Sequence, residues 1–199
     1  MTKIVVYLHG FASSSQSEKA QQTQAYFATH YPHIHFTALD VPYEPDAALA
    51  TIKQHLEQSG ITTTGGNGQQ LALIGSSLGG FLATCIAEEY GCRACLINPA
   101  VAPHTVLSQH LGDYYHPVLE QAYQVTPEHM TSLKQLMPTT LQQPHNYLVL
   151  LQTGDEVLDY RLALDYYQGA LINVREGGNH SYTDYQQQLS TITEFCQLN

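Results

Sequence analysis

Positive charge is scarce in this chain, whose 199 residues carry 7 lysines and arginines against 17 aspartates and glutamates, for a formal net charge of -10. That balance disfavours a nucleic acid or an anionic membrane as partner, because either needs a basic patch. Charge of either sign is thin at 12%, about half the usual share, so Gln, Thr, His and Tyr carry much of the surface polarity. No apolar run is long enough to span a bilayer. The first residues also lack the layout of a signal peptide, since Lys3 leads directly into a strand pattern. A cytoplasmic protein is the expectation. The cysteines are few, Cys85, Cys92, Cys95 and Cys196, and they are spread through helix and strand patterns with no disulfide framework, which fits a reducing compartment. Cys92-Arg93-Ala94-Cys95 opens a strand, where a redox pair would open a helix, and no second pair completes a zinc site. These cysteines read as core packing. His33-Ile34-His35 has no Asp-His cluster beside it, and Thr64-Gly65-Gly66-Asn67-Gly68, read as a flexible turn, lacks the Lys-Ser or Lys-Thr of a phosphate loop. Neither a metal nor a cofactor is expected.

What the chain does have is alternation. Strand patterns at residues 3–8, 34–39, 70–74, 94–97, 146–152 and 171–174 are interleaved with helical stretches at 17–31, 46–58 and 181–196. This predicts an α/β fold, a three-layer α/β/α sandwich around a mostly parallel sheet of about six strands. With 43% hydrophobic residues, the whole of 1–199 is long enough for one core and reads as one domain.

Gly75-Ser76-Ser77-Leu78-Gly79 closes the apolar run Leu71-Ala72-Leu73-Ile74 and opens the helical stripe Leu78, Phe81, Leu82, Cys85 and Ile86. A G-x-S-x-G match alone also describes a plain tight turn, but strand before and helix after make it the form of a nucleophile elbow, with Ser77 as attacking group. Gly75 and Gly79 stand where a Cβ would obstruct the sharp turn, and Gly80 reads as a packing glycine. A serine hydroxyl needs a base in reach and a third group to orient that base. In an α/β-hydrolase these follow in the order acid, then histidine, each on a loop after a later strand. Asp155 lies beyond the run Tyr147-Leu148-Val149-Leu150-Leu151, with Glu156 and Asp159 as rivals in the same loop. His180 follows Gly177-Gly178 after the next strand and precedes Ser181, a candidate N-cap for the last helix with Asp184 three residues on. The stripe Tyr182, Tyr185, Leu189, Ile192 and Cys196 is that helix's expected buried face. His9-Gly10-Phe11 after the first strand reads as an oxyanion loop, pairing the backbone N–H groups of Phe11 and Leu78, with His9 shaping the loop.

The motifs YLHGF, GSSLGG, LLQTGDEVLDY and EGGNHSY occur in this order over nearly the whole length, and together they make the chain resemble the YqiA-type bacterial esterases, a small branch of the α/β-hydrolases. The resemblance implies a cytoplasmic serine esterase acting on small-molecule carboxylic esters or acyl thioesters such as acyl-CoA, with Ser77, Asp155 and His180 as triad. The segment after Asn98-Pro99 is less diagnostic. Residues 99–144 exceed an ordinary connection, and Thr126-Pro127-Glu128 starts a helix carrying Met130, Leu133 and Met137, so a small helical cap over the serine is expected. Within it Tyr114, Tyr115, Leu119 and Tyr123 either line an acyl pocket or pack as ordinary helix residues. Amide cleavage or acyl transfer on the same triad is the alternative chemistry, and a binding protein that kept the fold without catalysis is the alternative class. The oligomeric state has no signature in these motifs.

Overall fold

The computed structural model describes residues 3–63 and 67–198. Each apolar run read as a strand becomes one, in the order β1 (Ile4–Leu8), α1 (Glu18–His30), β2 (His35–Leu39), α2 (Pro45–Gln58), β3 (Leu71–Ser76), α3 (Leu78–Tyr90) and β4 (Arg93–Ile97). There follow α4 (Pro103–Leu107), β5 (Gly112–His116), β6 (Gln121–Val125), α5 (Pro127–Leu136), β7 (Tyr147–Gln152), α6 (Tyr160–Tyr166), β8 (Leu171–Arg175) and α7 (Leu189–Phe195). Six strands form one sheet in the order β2-β1-β3-β4-β7-β8, every neighbouring pair parallel. The inner strands β1, β3 and β7 are buried on both faces, which is why they read as continuous apolar runs without alternation. β2 and β8, at the two edges, are only partly covered.

Alternate side chains of each strand feed two cores. Val6, Leu8, Leu73 and Val149 pack with α2, α3 and the tail of α5 on one face. On the other, Val5, Tyr7, Ile74 and Leu150 meet Phe27 of α1 and Leu189 and Ile192 of α7. α1 begins where Ser17 accepts a hydrogen bond from the Ala20 amide, and α3 ends at Gly91 in the left-handed conformation. Among the described residues no helix is long and apolar enough to cross a membrane, and no group of three or more His, Cys, Asp or Glu could hold a metal ion. The glycine-rich turn at 64–68 lies partly outside the described residues.

Two expected elements take another form. The predicted helix over 181–196 begins late: Tyr182 and Asp184 have positive φ, a short turn spans Tyr185–Gln188, and α7 starts only at Leu189. The cause is Gln152 at the end of β7, whose side chain takes the Thr183 amide (2.8 Å) and donates to the Thr183 carbonyl (2.9 Å), removing both groups from any helical ladder. Ser181 therefore caps nothing, yet the stripe Tyr182, Tyr185, Leu189, Ile192 and Cys196 is buried as one set. Between β4 and β7 the structure has α4 and α5 as helices, with an antiparallel hairpin β5-β6 between them where helix was expected. Tyr and Val favour strand, and in the register Tyr114 opposite Tyr123 the residue next to Tyr114, Tyr115, points outward and is 62% exposed.

Candidate active site

The turn from β3 to α3 holds Ser77 at φ 55 and ψ -120, a backbone state that costs about 1–3 kcal/mol and persists only when its surroundings fix it. Here its amide donates to the Ile97 carbonyl (3.0 Å) and its own carbonyl accepts from Gly80 (2.9 Å) and Ala100 (3.1 Å). A Cβ on Gly75 would lie 2.7 Å from the Gly79 carbonyl carbon, and one on Gly79 would lie 2.5 Å from the His9 carbonyl oxygen, so the elbow closes only with glycine at both places.

The Ser77 hydroxyl faces Nε2 of His180 at 3.0 Å, and Nδ1 of His180 faces both Asp155 oxygens at 3.0 and 2.9 Å. Because Nδ1 sits against a carboxylate it carries the ring proton, which leaves the Nε2 lone pair directed at the hydroxyl. The Asp155 side chain is 2% exposed and also accepts from the amides of Val157 (2.9 Å) and Leu158 (2.8 Å). Its two rivals do other things. Glu156 accepts from the His180 amide at 3.0 Å, a bond that lowers its pKa, and Asp159 caps α6 through the Arg161 amide at 3.0 Å.

Two buried amides that the sequence reading passed over fix the histidine loop from below. Asn98 donates to the carbonyls of Asn179 (3.0 Å) and His180 (3.2 Å) and accepts from the Gln152 amide (3.0 Å). Gln152 accepts from the amides of Asn179 (3.1 Å) and Thr183 (2.8 Å). Both residues end strands of the sheet as polar groups at full burial, and a polar residue closing an apolar run is the one sequence signal that marks them.

The His9-Gly10-Phe11 loop lies over Ser77, with a Cβ position on Gly10 only 3.2 Å from the Ser77 Cβ. The amides of Phe11 and Leu78 have no hydrogen-bond partner within the chain among the described residues. His9 is buried, which lowers its pKa, and its Nδ1 donates to the Gly10 carbonyl at 2.9 Å. With the proton there, Nε2 has none to give Asp40 at 3.6 Å, so that approach is a contact between a neutral ring and a carboxylate. Asp40 instead holds the loop by accepting from the amide (2.6 Å) and hydroxyl (2.8 Å) of Ser15. The ring of Phe11 meets Tyr43, Tyr114 and Tyr123 edge to face at 6.1–6.4 Å, and Tyr43 stacks on Tyr123 at 3.5 Å. Buried His116 ties the hairpin to the same loop: its Nδ1 accepts from the Leu119 amide (3.1 Å), so its Nε2 donates to the Ser13 carbonyl (3.1 Å).

Ser77 and His180 stand between two clefts. One is apolar, walled by Leu78, Ala100, Pro103, Val106, Leu107 and Leu158; the other is lined by Tyr7, Ser13, Ser17, Lys19, Ser76 and Ser181. A further apolar cavity under the insertion shares Phe11 and Leu78 with the site and is closed by Val125, Met130 and Leu133. Of the insertion residues read as candidate lining, Tyr114 and Tyr123 back the Phe11 ring and Tyr115 faces outward, while the walls at Ser77 come from α4 and the loop after β7.

The same fold is found in alpha/beta hydrolase domain-containing protein 10 from mouse (15% identity, 99% of this chain and 90% of that one, TM-score 0.73). Est1E from Butyrivibrio proteoclasticus, solved with ferulic acid bound, shares it at 12% identity over 98% of this chain and 88% of that one, with a TM-score of 0.67. The esterase domain of a Rhodothermus marinus protein does so at 15% identity, 98% and 85% coverage and a TM-score of 0.65. At such identities the likeness establishes the α/β-hydrolase fold. The family model described as "Uncharacterised protein family (UPF0227)" matches residues 4–197, and the chain therefore belongs to that family, the YqiA-type esterases.

Proposed function

We propose that the protein is a serine hydrolase of carboxylic esters, with acyl thioesters within its range. The observation that carries this reading is the continuous line from Ser77 through His180 to Asp155 beneath two unpaired amides. His180 Nε2 takes the Ser77 proton as the oxygen attacks the acyl carbonyl, and the Phe11 and Leu78 amides receive the negative charge on the carbonyl oxygen. His180 then returns the proton to the leaving alcohol or thiol as the C–O or C–S bond breaks. Asp155 stabilises the imidazolium in both steps. Water, deprotonated by the same ring, hydrolyses the acyl-enzyme and restores Ser77. The apolar cleft takes the acyl group, and the insertion at 99–144, within a single domain, acts as a cap that completes its wall.

A fluorophosphonate probe combined with an ester and its matched amide tests the reading. Covalent labelling at Ser77, turnover of the ester and loss of both in Ser77→Ala are expected. Labelling without ester turnover would move the assignment to amide cleavage or acyl transfer. An unlabelled Ser77 would remove the hydrolase reading altogether.

A further inference from the structure

The polar cleft beside Ser77 has one formally charged side chain on its wall, Lys19 from the first turn of α1. Its Nζ donates to the carbonyl of Ser181, the residue after His180, at 2.9 Å. An ammonium has three donors, and this neutral acceptor uses one of them. Of the other cations, Lys134 is exposed on α5 and lines no part of this cleft, and the rest are engaged otherwise. Lys53 pairs with Glu89, Arg161 with Asp159 and Arg175 with Asp184, while Lys3 and Arg93 donate to backbone carbonyls near the C-terminus. Lys19 makes no ion pair among the described residues, and burial lowers its pKa, with the neighbouring Glu18 opposing. A partly desolvated ammonium with donors to spare, on a cleft whose wall includes Ser13 and Ser17, is a poor arrangement for an empty site and a good one for an anion.

We propose that this cleft is a subsite for an anionic leaving group, a carboxylate or a phosphate monoester, and that Lys19 is its recognition residue. The two clefts then divide the substrate at the scissile bond. The apolar wall holds the acyl chain. The leaving group lies on the Lys19 side, beside the imidazole that must protonate it, so the positive charge also offsets the negative charge developing on the departing oxygen before the proton arrives. In a chain of net charge -10 a cation on the wall of this cleft attracts an anion only locally, through contact and not through a long-range field. The inference rests on the esterase reading above and refines it to a substrate class.

The test compares butyryl esters of 4-hydroxybenzamide, 4-hydroxybenzoate and 4-hydroxyphenyl phosphate, which differ in the charge of the leaving group. The readout is the ratio of kcat/KM for each anionic ester to that for the neutral one, so that general damage cancels. Lys19→Met is expected to lower this ratio about tenfold or more, Lys19→Arg to retain most of it, and Lys53→Met, which changes net charge equally, to leave it unmoved. Added salt should lower the ratio in the wild type and not in Lys19→Met. The anionic ester that loses more identifies the preferred group. Equal loss on all three esters would overturn the proposal and make Lys19 an anchor of the His180 loop through Ser181, as would an equal shift in Lys53→Met. A wild type inert toward all three, with Ser77 unlabelled by fluorophosphonate, would instead remove the esterase reading and the subsite with it.

Discussion

On the His180 side of Ser77, the site is held by buried side-chain amides, most of whose hydrogen bonds end on one loop. On the Phe11 side, Asp40 and His116 bond the loop only at residues 13–15, and the wall at Phe11 itself is made of half-exposed rings packed on one another. Asn98 and Gln152 together make bonds of 2.8–3.2 Å to the backbone of residues 179–183, and such bonds weaken steeply with small displacements. The tyrosines around Phe11 act by dispersion and shape, at ring separations of 3.5–6.4 Å, where sliding costs little. Proton transfer needs the first kind of support. The proposed substrate wall is served by the second.

The largest effect is expected where the two sides meet. Ser77→Ala should lower kcat by about 10⁴ to 10⁶ with the unfolding midpoint unchanged, measured by ester turnover beside urea denaturation. Next come the amides. Gln152→Ala takes the acceptor from the partly buried amide bonds of Asn179 and Thr183, so a stability loss of about 1–2 kcal/mol and a fall in kcat of about a hundredfold are expected, with KM nearly constant. Tyr123→Ala should be milder: about tenfold in kcat/KM, mostly through KM, with stability within about 1 kcal/mol, because its ring is half exposed and backs Phe11 without touching the triad. If Tyr123→Ala reduced kcat as severely as Gln152→Ala, the contrast between the two sides would not stand.

The smallest effect is on pH dependence. Burial depresses the His9 pKa below its ordinary 6.5, with His116 acting the same way and Gly10 and Asp40 opposing. Below that pH the unfolded chain takes up a proton the native His9 refuses, so native stability falls as the solution is acidified from 6.5, and is unaffected above it. His55, also depressed by burial, adds to the same slope. The urea midpoint should therefore drop between pH 7.5 and pH 5.5, and drop less in His9→Gln. An identical slope in both proteins would place the proton uptake elsewhere.

The central strands are legible in the sequence because burial on both faces leaves no polar residue inside them, and the elbow is legible because its glycines are required by contact with β1 and α3. The meeting of Ser77, Asp155 and His180 follows from the position of each just beyond a strand. The choice among Asp155, Glu156 and Asp159 does not, because all three are carboxylates in one loop and only their contacts separate them. The late start of α7 is equally hidden. Its cause lies 31 residues upstream, in a glutamine that captures Thr183, and no local pattern near Tyr182 announces it. The hairpin of the insertion is missed because Tyr-rich segments of five residues satisfy helix and strand periods alike.

The separation of 103 residues between Ser77 and His180, with the histidine following the edge strand β8, has a consequence for biosynthesis. A nascent chain released from the ribosome only as far as β7 presents Ser77 without the His180 ring beside it, so the proposed acylation waits for the last strand. During refolding, the return of turnover then times the docking of the final edge strand, separately from the return of helix content.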